Sequence, residues 1–408
     1  MKQAFLRIGK EDSLNRFHPW VFSGAIHHFS EQPEEGEVVQ VFATYQKEHQ
    51  KELEYKFLAT GHFQIGSIMV RVLSFENVDI DENFYYQRLK AALNARKAAG
   101  LLNHLSPEDQ LYNNTFRLVH GEGDNLPGLV IDMYGKTAVM QAHSIGMHTD
   151  RVIIAKALKE VMEDKILNIY YKSETTLPYK ADLGQENGFL IGGGKDDIAF
   201  EYGLKFHVDW LKGQKTGFFV DQRENRRLLE QFAKDRNVLN MFCYTGGFSF
   251  YAMRGGANLV HSVDSSQKAI DITNQNVRLN FPDDNRHEAF AMDAFKFLDD
   301  AKSGQYDLII LDPPAFAKHK DAVKNAMKGY ARLNQKAMEK IKPGGIIFTF
   351  SCSQAISKDA FRTAVFTAAA HAQKKVRILY QLHQPADHPV NIYHPEGEYL
   401  KGLVLYVE

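Results

Sequence analysis

Residues 237–249 read NVLNMFCYTGGFS, an apolar run that ends in a turn with two adjacent glycines. The run has the length and composition of a strand buried on both faces, and glycine lets the following backbone turn tightly and approach a ligand closely. In doubly wound sheets, ligands bind beyond the carboxyl ends of the strands. This stretch therefore predicts an α/β domain with a ligand site after its first strand.

Strands and helices alternate around this stretch from residue 201 to the C-terminus, which is typical of a parallel, Rossmann-like sheet with helices on both faces. We expect helices over 222–234 and 266–280, and an antiparallel pair at 376–383 and 400–407. The parallel strands are expected at 237–242, 259–264, 287–292, 306–311 and 345–350.

The two segments before residue 201 have different patterns. Residues 1–75 contain short β segments with little helical signal, which predicts a small β barrel or sandwich. Residues 76–200 mix helical spacing with strand-like runs and predict an α+β domain. The expected organisation is therefore three domains, 1–75, 76–200 and 201–408.

Composition limits the class of protein. The chain has 408 residues, 49 basic against 50 acidic side chains, and two cysteines. Two cysteines exclude a disulfide framework, and the N-terminus lacks the apolar stretch of a signal peptide, so we expect a soluble, cytoplasmic protein without a membrane span. Residues 201–408 carry 28 basic and 23 acidic side chains, which permits a polyanionic partner without requiring one.

Acidic residues follow the later strands at regular positions. Asp264 ends the second strand 18 residues after Gly246, where an acid suits the hydroxyls of a ribose. The third strand leads to Asp293 and Ala294, and the fourth leads to Asp312. Because the first turn is not GxGxxG, a dinucleotide is not favoured. This order of turn and acids resembles S-adenosylmethionine-dependent methyltransferases.

The fourth strand is followed by Asp312-Pro313-Pro314-Ala315-Phe316. Two prolines fix the backbone and remove two donors, so carbonyl groups remain to hydrogen-bond the edge of a nucleobase, and Phe316 offers a face for stacking. A stiff turn that merely ends a strand explains the same residues equally well.

Cys352 follows the fifth strand between two serines, and we expect it to face Asp312 because the fourth and fifth strands are usually neighbours. A thiolate there can attack carbon 6 of a pyrimidine and make carbon 5 nucleophilic. Most free cysteines are instead small buried hydrophobes, and that interpretation is preferred for Cys243.

These residues together resemble the bacterial ribosomal RNA large-subunit methyltransferase I family, which makes 5-methylcytosine. The resemblance covers nearly the whole chain. It rests on the stretches 215–223 (KTGFFVDQR), 244–248 (YTGGF), 263–266 (VDSS), 312–314 (DPP), 350–353 (FSCS), 386–390 (ADHPV), 16–24 (RFHPWVFSG) and 121–129 (GEGDNLPGL).

The resemblance implies an N-terminal RNA-binding PUA domain, a central α+β domain and a homodimer. It implies Cys352 as nucleophile, with Asp312 beside it in the catalytic centre. The expected substrate contacts are Pro313, Pro314, Phe316, Arg16 and His18. The expected S-adenosylmethionine contacts are Gln222, Arg223, Asn240, Tyr244, Thr245, Gly246, Asp264, Ser265, Asp293, Ala294 and Asp312.

Three functions are compatible with the sequence. The first is 5-methylcytosine formation in large-subunit ribosomal RNA, and the second is methylation of guanine or of an exocyclic amine without covalent catalysis. The third is a non-enzymatic RNA-binding assembly factor. The histidines have no metal-ligand spacing, so we expect no metal. Residues 318–320 (KHK) suit either phosphate contacts or a solvated face.

Overall fold

The computed structural model of the chain describes residues 1–46, 52–103, 106–178, 186–194, 198–317 and 320–408. It divides into two compact units. Unit 1 comprises 1–203, 208–218 and 386–397, and unit 2 comprises 204–207, 219–385 and 398–408. The division into three domains at 75 and 200 stays a prediction.

Unit 1 begins with a six-stranded mixed sheet in the order β2-β6-β5-β4-β1-β3. Along β4, Val39, Val41 and Ala43 alternate with more exposed residues and enter the core, as the period of a half-buried strand requires. All six strands belong to one sheet, as a barrel requires, rather than to the two sheets of a sandwich. The strands are β1 (Lys2–Leu6), β2 (Trp20–Phe22), β3 (Ile26–Phe29), β4 (Val38–Gln46), β5 (Leu53–Phe63) and β6 (Ile68–Ser74), with helix α1 (Asp12–Asn15) after β1.

A second sheet of unit 1 has the order β11-β10-β9-β8-β7, and helices α2 and α4 pack on its apolar side. The predicted α+β character of this region is confirmed. Asp81 begins α2 because its side chain accepts the backbone N–H of Phe84 at 2.8 Å. The elements are α2 (Glu82–Ala98), β7 (Thr115–His120), β8 (Leu129–Tyr134), β9 (Thr137–Ala142), α3 (Ile145–Thr149), α4 (Arg151–Met162), β10 (Asn168–Tyr171) and β11 (Gly188–Ile191), and strand β12 (Ile198–Glu201) lies outside this sheet.

Residues 386–397 join unit 1 although the segments before and after them in the sequence, 219–385 and 398–408, belong to unit 2. The backbone carbonyl of Asp387 accepts a hydrogen bond from buried Arg96 at 2.8 Å, and its carboxylate accepts the backbone N–H of Arg117 at 2.9 Å. Arg96 also pairs with Asp124. Buried polar groups require partners, so this network anchors the segment.

Unit 2 contains a seven-stranded sheet in the order β16-β15-β14-β17-β18-β20-β19. The strands from β14 to β18 are parallel, and β20 runs antiparallel to β18 and β19, as the sequence predicts. The strand order reverses between β14 and β17, which creates a crevice at their carboxyl ends. The strands of this sheet are β14 (Asn237–Met241), β15 (Leu259–Asp264), β16 (His287–Ala291), β17 (Leu308–Leu311), β18 (Gly345–Ser351), β19 (Val376–His383) and β20 (Lys401–Val407), and strand β13 (Leu204–His207) lies outside it.

Helices connect the parallel strands of unit 2. All four residues of β17 are fully buried, which explains why its sequence is apolar without alternation. Helix α5 ends at Glu230, four residues before the predicted end, because the chain there continues in tight turns. The helices are α5 (Arg223–Glu230), α6 (Gly247–Arg254), α7 (Gln267–Asn280), α8 (Ala294–Asp300), α9 (Val323–Lys340) and α10 (Lys358–His371).

Candidate active site

The turn after β14 requires glycine at position 246. Gly246 has φ +86°, and a Cβ there would lie 2.5 Å from Cζ of Phe250 and 2.8 Å from Cγ2 of Thr273. Both contacts are closer than van der Waals distance, so a larger residue would displace the turn. The sequence prediction of a tight glycine turn at this edge is confirmed in its geometry.

Asp264, the last residue of β15, is hydrogen-bonded to this turn. One carboxylate oxygen accepts the backbone N–H of Tyr244 at 3.0 Å, and the other accepts the backbone N–H of Ser266 at 2.9 Å. Asp264 is half-buried and Ser265 beside it is exposed. Each carboxylate oxygen can accept a second hydrogen bond, so a hydroxyl-bearing ligand can bind to Asp264 without breaking the turn.

Helix α7 supports the same turn through two residues that the sequence did not reveal. The Thr273 hydroxyl donates to the carbonyl of Tyr244 at 3.0 Å, and Asn276 donates to the carbonyl of Thr245 at 3.3 Å. Both side chains are fully buried. Their spacing of three residues on one helix face, directly after an acid-ended strand, is the only sequence signal for this role.

Asp293 and Ala294 lie where β16 passes into α8. Asp293 is the N-cap of α8, and its carboxylate accepts the backbone N–H of Lys296 at 3.0 Å. Ala294 is buried. This cap fixes the start of α8, and a role of Asp293 in cofactor binding stays a prediction.

Gln222 and Arg223 lie at the start of α5, after the 3-10 turn Val220–Gln222. Gln222 accepts a hydrogen bond from Asn225 at 2.6 Å, and Arg223 is buried with its guanidinium 3.1 Å from Glu224. The ring of Phe219, just before this turn, contacts the ring of Tyr244 with centroids 5.2 Å apart. The start of α5 is thus brought to the glycine turn.

The side chain of Asn240 can bind a cofactor that carries an amino acid group. Its amide nitrogen donates to Ser249 at 2.9 Å, while its Oδ1 is buried without a hydrogen-bond partner among the described residues. A buried acceptor without a donor is costly, so a bound ammonium group or water would stabilise it. Together with Gly246 and Asp264, this fits S-adenosylmethionine.

The turn at Asp312 and the end of β18 are neighbours, as the sequence predicts, because β17 pairs with β18 in the register Leu311 to Thr349. Pro313 is buried, Pro314 is exposed, and Asp312 is half-buried. The ring of Phe316 packs on Tyr330, with centroids 4.6 Å apart. One side of Phe316 is thus already covered.

Cys352 is half-buried at the end of β18. The hydroxyl of Tyr330 lies between the two flanking serines, 2.9 Å from the hydroxyl of Ser351 and 3.0 Å from that of Ser353. These bonds fix the residues on both sides of the cysteine. The sequence did not predict this role of Tyr330, because α9 carries no motif. Cys243, in contrast, is buried, and burial raises the pKa of its thiol far above the ordinary value.

Arg16 and His18 lie in unit 1, whereas the residues described above lie in unit 2. Arg16 is exposed. His18 accepts the backbone N–H of Trp20 on Nδ1 at 3.2 Å, and its Nε2 lies 3.7 Å from Glu396. Lys318 and His319 lie outside the described residues.

Among the described residues, one group offers metal-type ligands close together: His18, His394 and Glu396, within 4.8 Å of one another. The bond to Trp20 leaves the ring proton of neutral His18 on Nε2, which faces Glu396, so this geometry suits a histidine–carboxylate contact. The absence of a metal stays a prediction. No helix in the described part of the chain is long and apolar enough to cross a membrane.

Comparisons with known proteins agree with this geometry. Residues 189–395 match the S-adenosylmethionine-dependent methyltransferase family, and residues 5–75 match a PUA-like domain. Two solved structures cover the whole chain and support the fold: one from Streptococcus mutans described as a SAM-dependent methyltransferase (22% identity, TM-score 0.80), and a methyltransferase complexed with SAH (23%, 0.82).

Curated relatives named ribosomal RNA large subunit methyltransferase I match over nearly their full length. The protein of Erwinia tasmaniensis is 37% identical over 99% of both chains, and that of Pseudoalteromonas translucida is 38% identical over 99% of both. The predicted fold class and cofactor are confirmed. The chain therefore belongs to the ribosomal RNA large subunit methyltransferase I family of S-adenosylmethionine-dependent methyltransferases.

Proposed function

We propose that this protein methylates carbon 5 of a cytosine in large-subunit ribosomal RNA, with Cys352 as the nucleophile. The RNA substrate is supported by the names of the relatives. The observation that carries the mechanism is a half-exposed cysteine at the carboxyl end of β18, next to the Asp312 turn at the end of β17.

The thiolate of Cys352 adds to carbon 6 of the cytosine, and the electron pair of the 5,6 double bond moves toward carbon 5 and the polar edge of the ring. S-adenosylmethionine, held by the residues of the turn after β14, would supply the methyl group, and carbon 5 would accept it as the sulfur–methyl bond breaks and the sulfonium becomes a thioether. A base then removes the carbon 5 proton, the carbon 6–sulfur bond breaks, and the thiolate is regenerated. Cysteine suits both the attack and the release.

We assign the cofactor to the carboxyl ends of strands β14, β15, β16 and β17. Asn240, Tyr244, Thr245 and Gly246 would hold the methionine end, with Gln222 and Arg223 nearby. Asp264 and Ser265 would bind the ribose, and Asp293 and Ala294 would lie near the adenine, with Asp312 between cofactor and base. These assignments rest on the contacts of the glycine turn and on the family.

The target base is expected to leave its stack, because its ring atoms cannot be reached within a helix. The carbonyl groups around Pro313 and Pro314 would hydrogen-bond its polar edge, the uncovered side of Phe316 would contact its face, and Asp312 would face the ring beside the attacking sulfur. We assign Arg16 and His18 of the PUA-like domain to contacts with the flanking RNA. A homodimer and a cytoplasmic location are part of the same proposal.

The test is incubation with labelled S-adenosylmethionine and unmodified large-subunit ribosomal RNA, followed by mass identification of the product nucleosides. We expect 5-methylcytidine from the wild type and from the control variant Cys243→Ala, and none from Cys352→Ala. A methylated guanosine or a methylated exocyclic amine, or an active Cys352→Ala protein, would contradict the cysteine mechanism. Complete inactivity of the wild type with every RNA tested would favour an assembly factor.

A further inference from the structure

Lys401 is a buried lysine beside the proposed nucleophile, and the mechanism above does not use it. It is the first residue of β20, paired with Ser351 across β18 and β20, and only 6% of it is exposed. Its Nζ donates to the carbonyl of Ser353 at 2.6 Å. The ammonium group is thus fixed at the carbonyl of Ser353, the residue that follows Cys352.

A lysine is rarely buried without a function or a paired charge. Buried Lys401 has its pKa lowered to about 8 by desolvation, while the charges of Cys352 and Glu398 act in the opposite direction and Lys358 lowers the pKa further. Glu398 pairs with the exposed Lys358. Tyr330, on the other side of the cysteine, stays a neutral phenol because burial raises its pKa.

We propose that the ammonium group of Lys401 stabilises the thiolate of Cys352 and is therefore a positioning residue for methyl transfer. A cation close to a sulfur in a partly desolvated site favours the anionic sulfur. The same charge assists both the attack on carbon 6 and the release of the sulfur at the end of the cycle. The catalytic part of this inference rests on the proposed function, whereas the coupling between Lys401 and Cys352 does not.

The experiment measures the alkylation rate of Cys352 by iodoacetamide without RNA, with the modified peptide identified by mass spectrometry. Lys401→Gln removes the charge but keeps a hydrogen-bond donor, and Lys401→Arg keeps the charge. Lys342→Gln is the matched control, because Lys342 is an exposed lysine that pairs with the carboxylate of Asp307 and is not among the charges that act on Lys401. Circular dichroism and S-adenosylmethionine affinity report whether each variant is folded.

We expect Lys401→Gln to lower the rate at pH 7 about tenfold and to move the pH midpoint of alkylation up by about one unit. Lys401→Arg should stay within about threefold of the wild type, and Lys342→Gln within about twofold, because exposed charges are screened. A Lys401→Gln rate equal to the wild type would overturn the proposal. So would an Arg variant as slow as the Gln variant, because charge would then not be the cause.

If Lys401→Gln does not fold, the wild type alone decides. Its Cys352 should react about tenfold faster at pH 7 than glutathione, and a slower reaction would overturn the proposal. The outcome is separable from the proposed function. Charge-dependent alkylation together with a methylating Cys352→Ala protein would keep the coupling and reject the covalent mechanism.

Discussion

Gly246→Ala tests whether the turn after β14 forms the cofactor site, and the structure supplies a matched control. Gly304 has a similar φ of +78°, but a Cβ there would meet nothing within 4 Å, whereas a Cβ at Gly246 would overlap Phe250 and Thr273. Gly304→Ala therefore adds only the strain of a left-handed L-residue, about 1–2 kcal/mol. Gly246→Ala adds overpacking of about 1–3 kcal/mol to the same strain.

The expected loss of unfolding free energy is thus about 2–5 kcal/mol for Gly246→Ala and about 1–2 kcal/mol for Gly304→Ala. Urea denaturation measures both. Because Tyr244 and Asp264 meet at this turn, calorimetry should also show S-adenosylmethionine binding weakened at least about tenfold in Gly246→Ala and unchanged in Gly304→Ala. Equal losses of stability in the two variants, or an unchanged cofactor affinity in Gly246→Ala, would refute the reasoning.

Three further predictions concern charged groups. Asp264→Asn should weaken S-adenosylmethionine binding about 10- to 100-fold by calorimetry, because bonds to a charged acceptor contribute about 1.5–3 kcal/mol, while the exposed control Asp271→Asn should bind normally. The pKa of Lys401 is about 8 in the folded protein and 10.5 in the unfolded chain, so between these two pH values the unfolded chain binds more protons. The free energy of unfolding of the wild type, relative to that of Lys401→Met, should therefore rise by about 3 kcal/mol as the pH rises from about 8 to 10.5. If urea denaturation shows that the difference in unfolding free energy between the two proteins stays constant or falls as the pH rises, this prediction is wrong. Arg96→Met should destabilise unit 1 by about 3–5 kcal/mol, because it leaves the buried carboxylate of Asp124 unpaired, and restoration of the melting temperature by the double variant with Asp124→Leu would identify that charge as the cause.

Much of unit 2 could be predicted from the sequence because its signals are local. The apolar run 308–311 is a strand buried on both faces, and the positions after each strand hold the glycine turn, Asp264 and Asp312. The expectation that the strands leading to Asp312 and Cys352 are neighbours is confirmed, since β17 pairs with β18, whereas the facing of the two side chains stays a prediction. Roles of the individual site residues stay predictions.

The residues that the sequence did not reveal act through tertiary proximity. Tyr330 lies within the long helix α9, where no sequence motif surrounds it. Lys401 binds the carbonyl of Ser353, which lies 48 residues earlier in the sequence. Residues 386–397 interrupt the sequence of unit 2 but fold with unit 1, because Arg96 and Arg117 bind Asp387. Neither hydrophobic periodicity nor a change in composition indicates that residues 386–397 fold with unit 1.

The central claim is a covalent bond between Cys352 and the target base, and trapping that bond tests it most directly. RNA that carries 5-fluorocytidine at the modified position has no carbon 5 proton to remove, so the cycle would stop with the base attached to sulfur. We expect a complex that survives denaturing electrophoresis for the wild type and Cys243→Ala, with the adduct at Cys352 by mass spectrometry, and no complex for Cys352→Ala. A wild type that methylates the unmodified RNA but forms no such complex, or an adduct at another residue, would contradict the account.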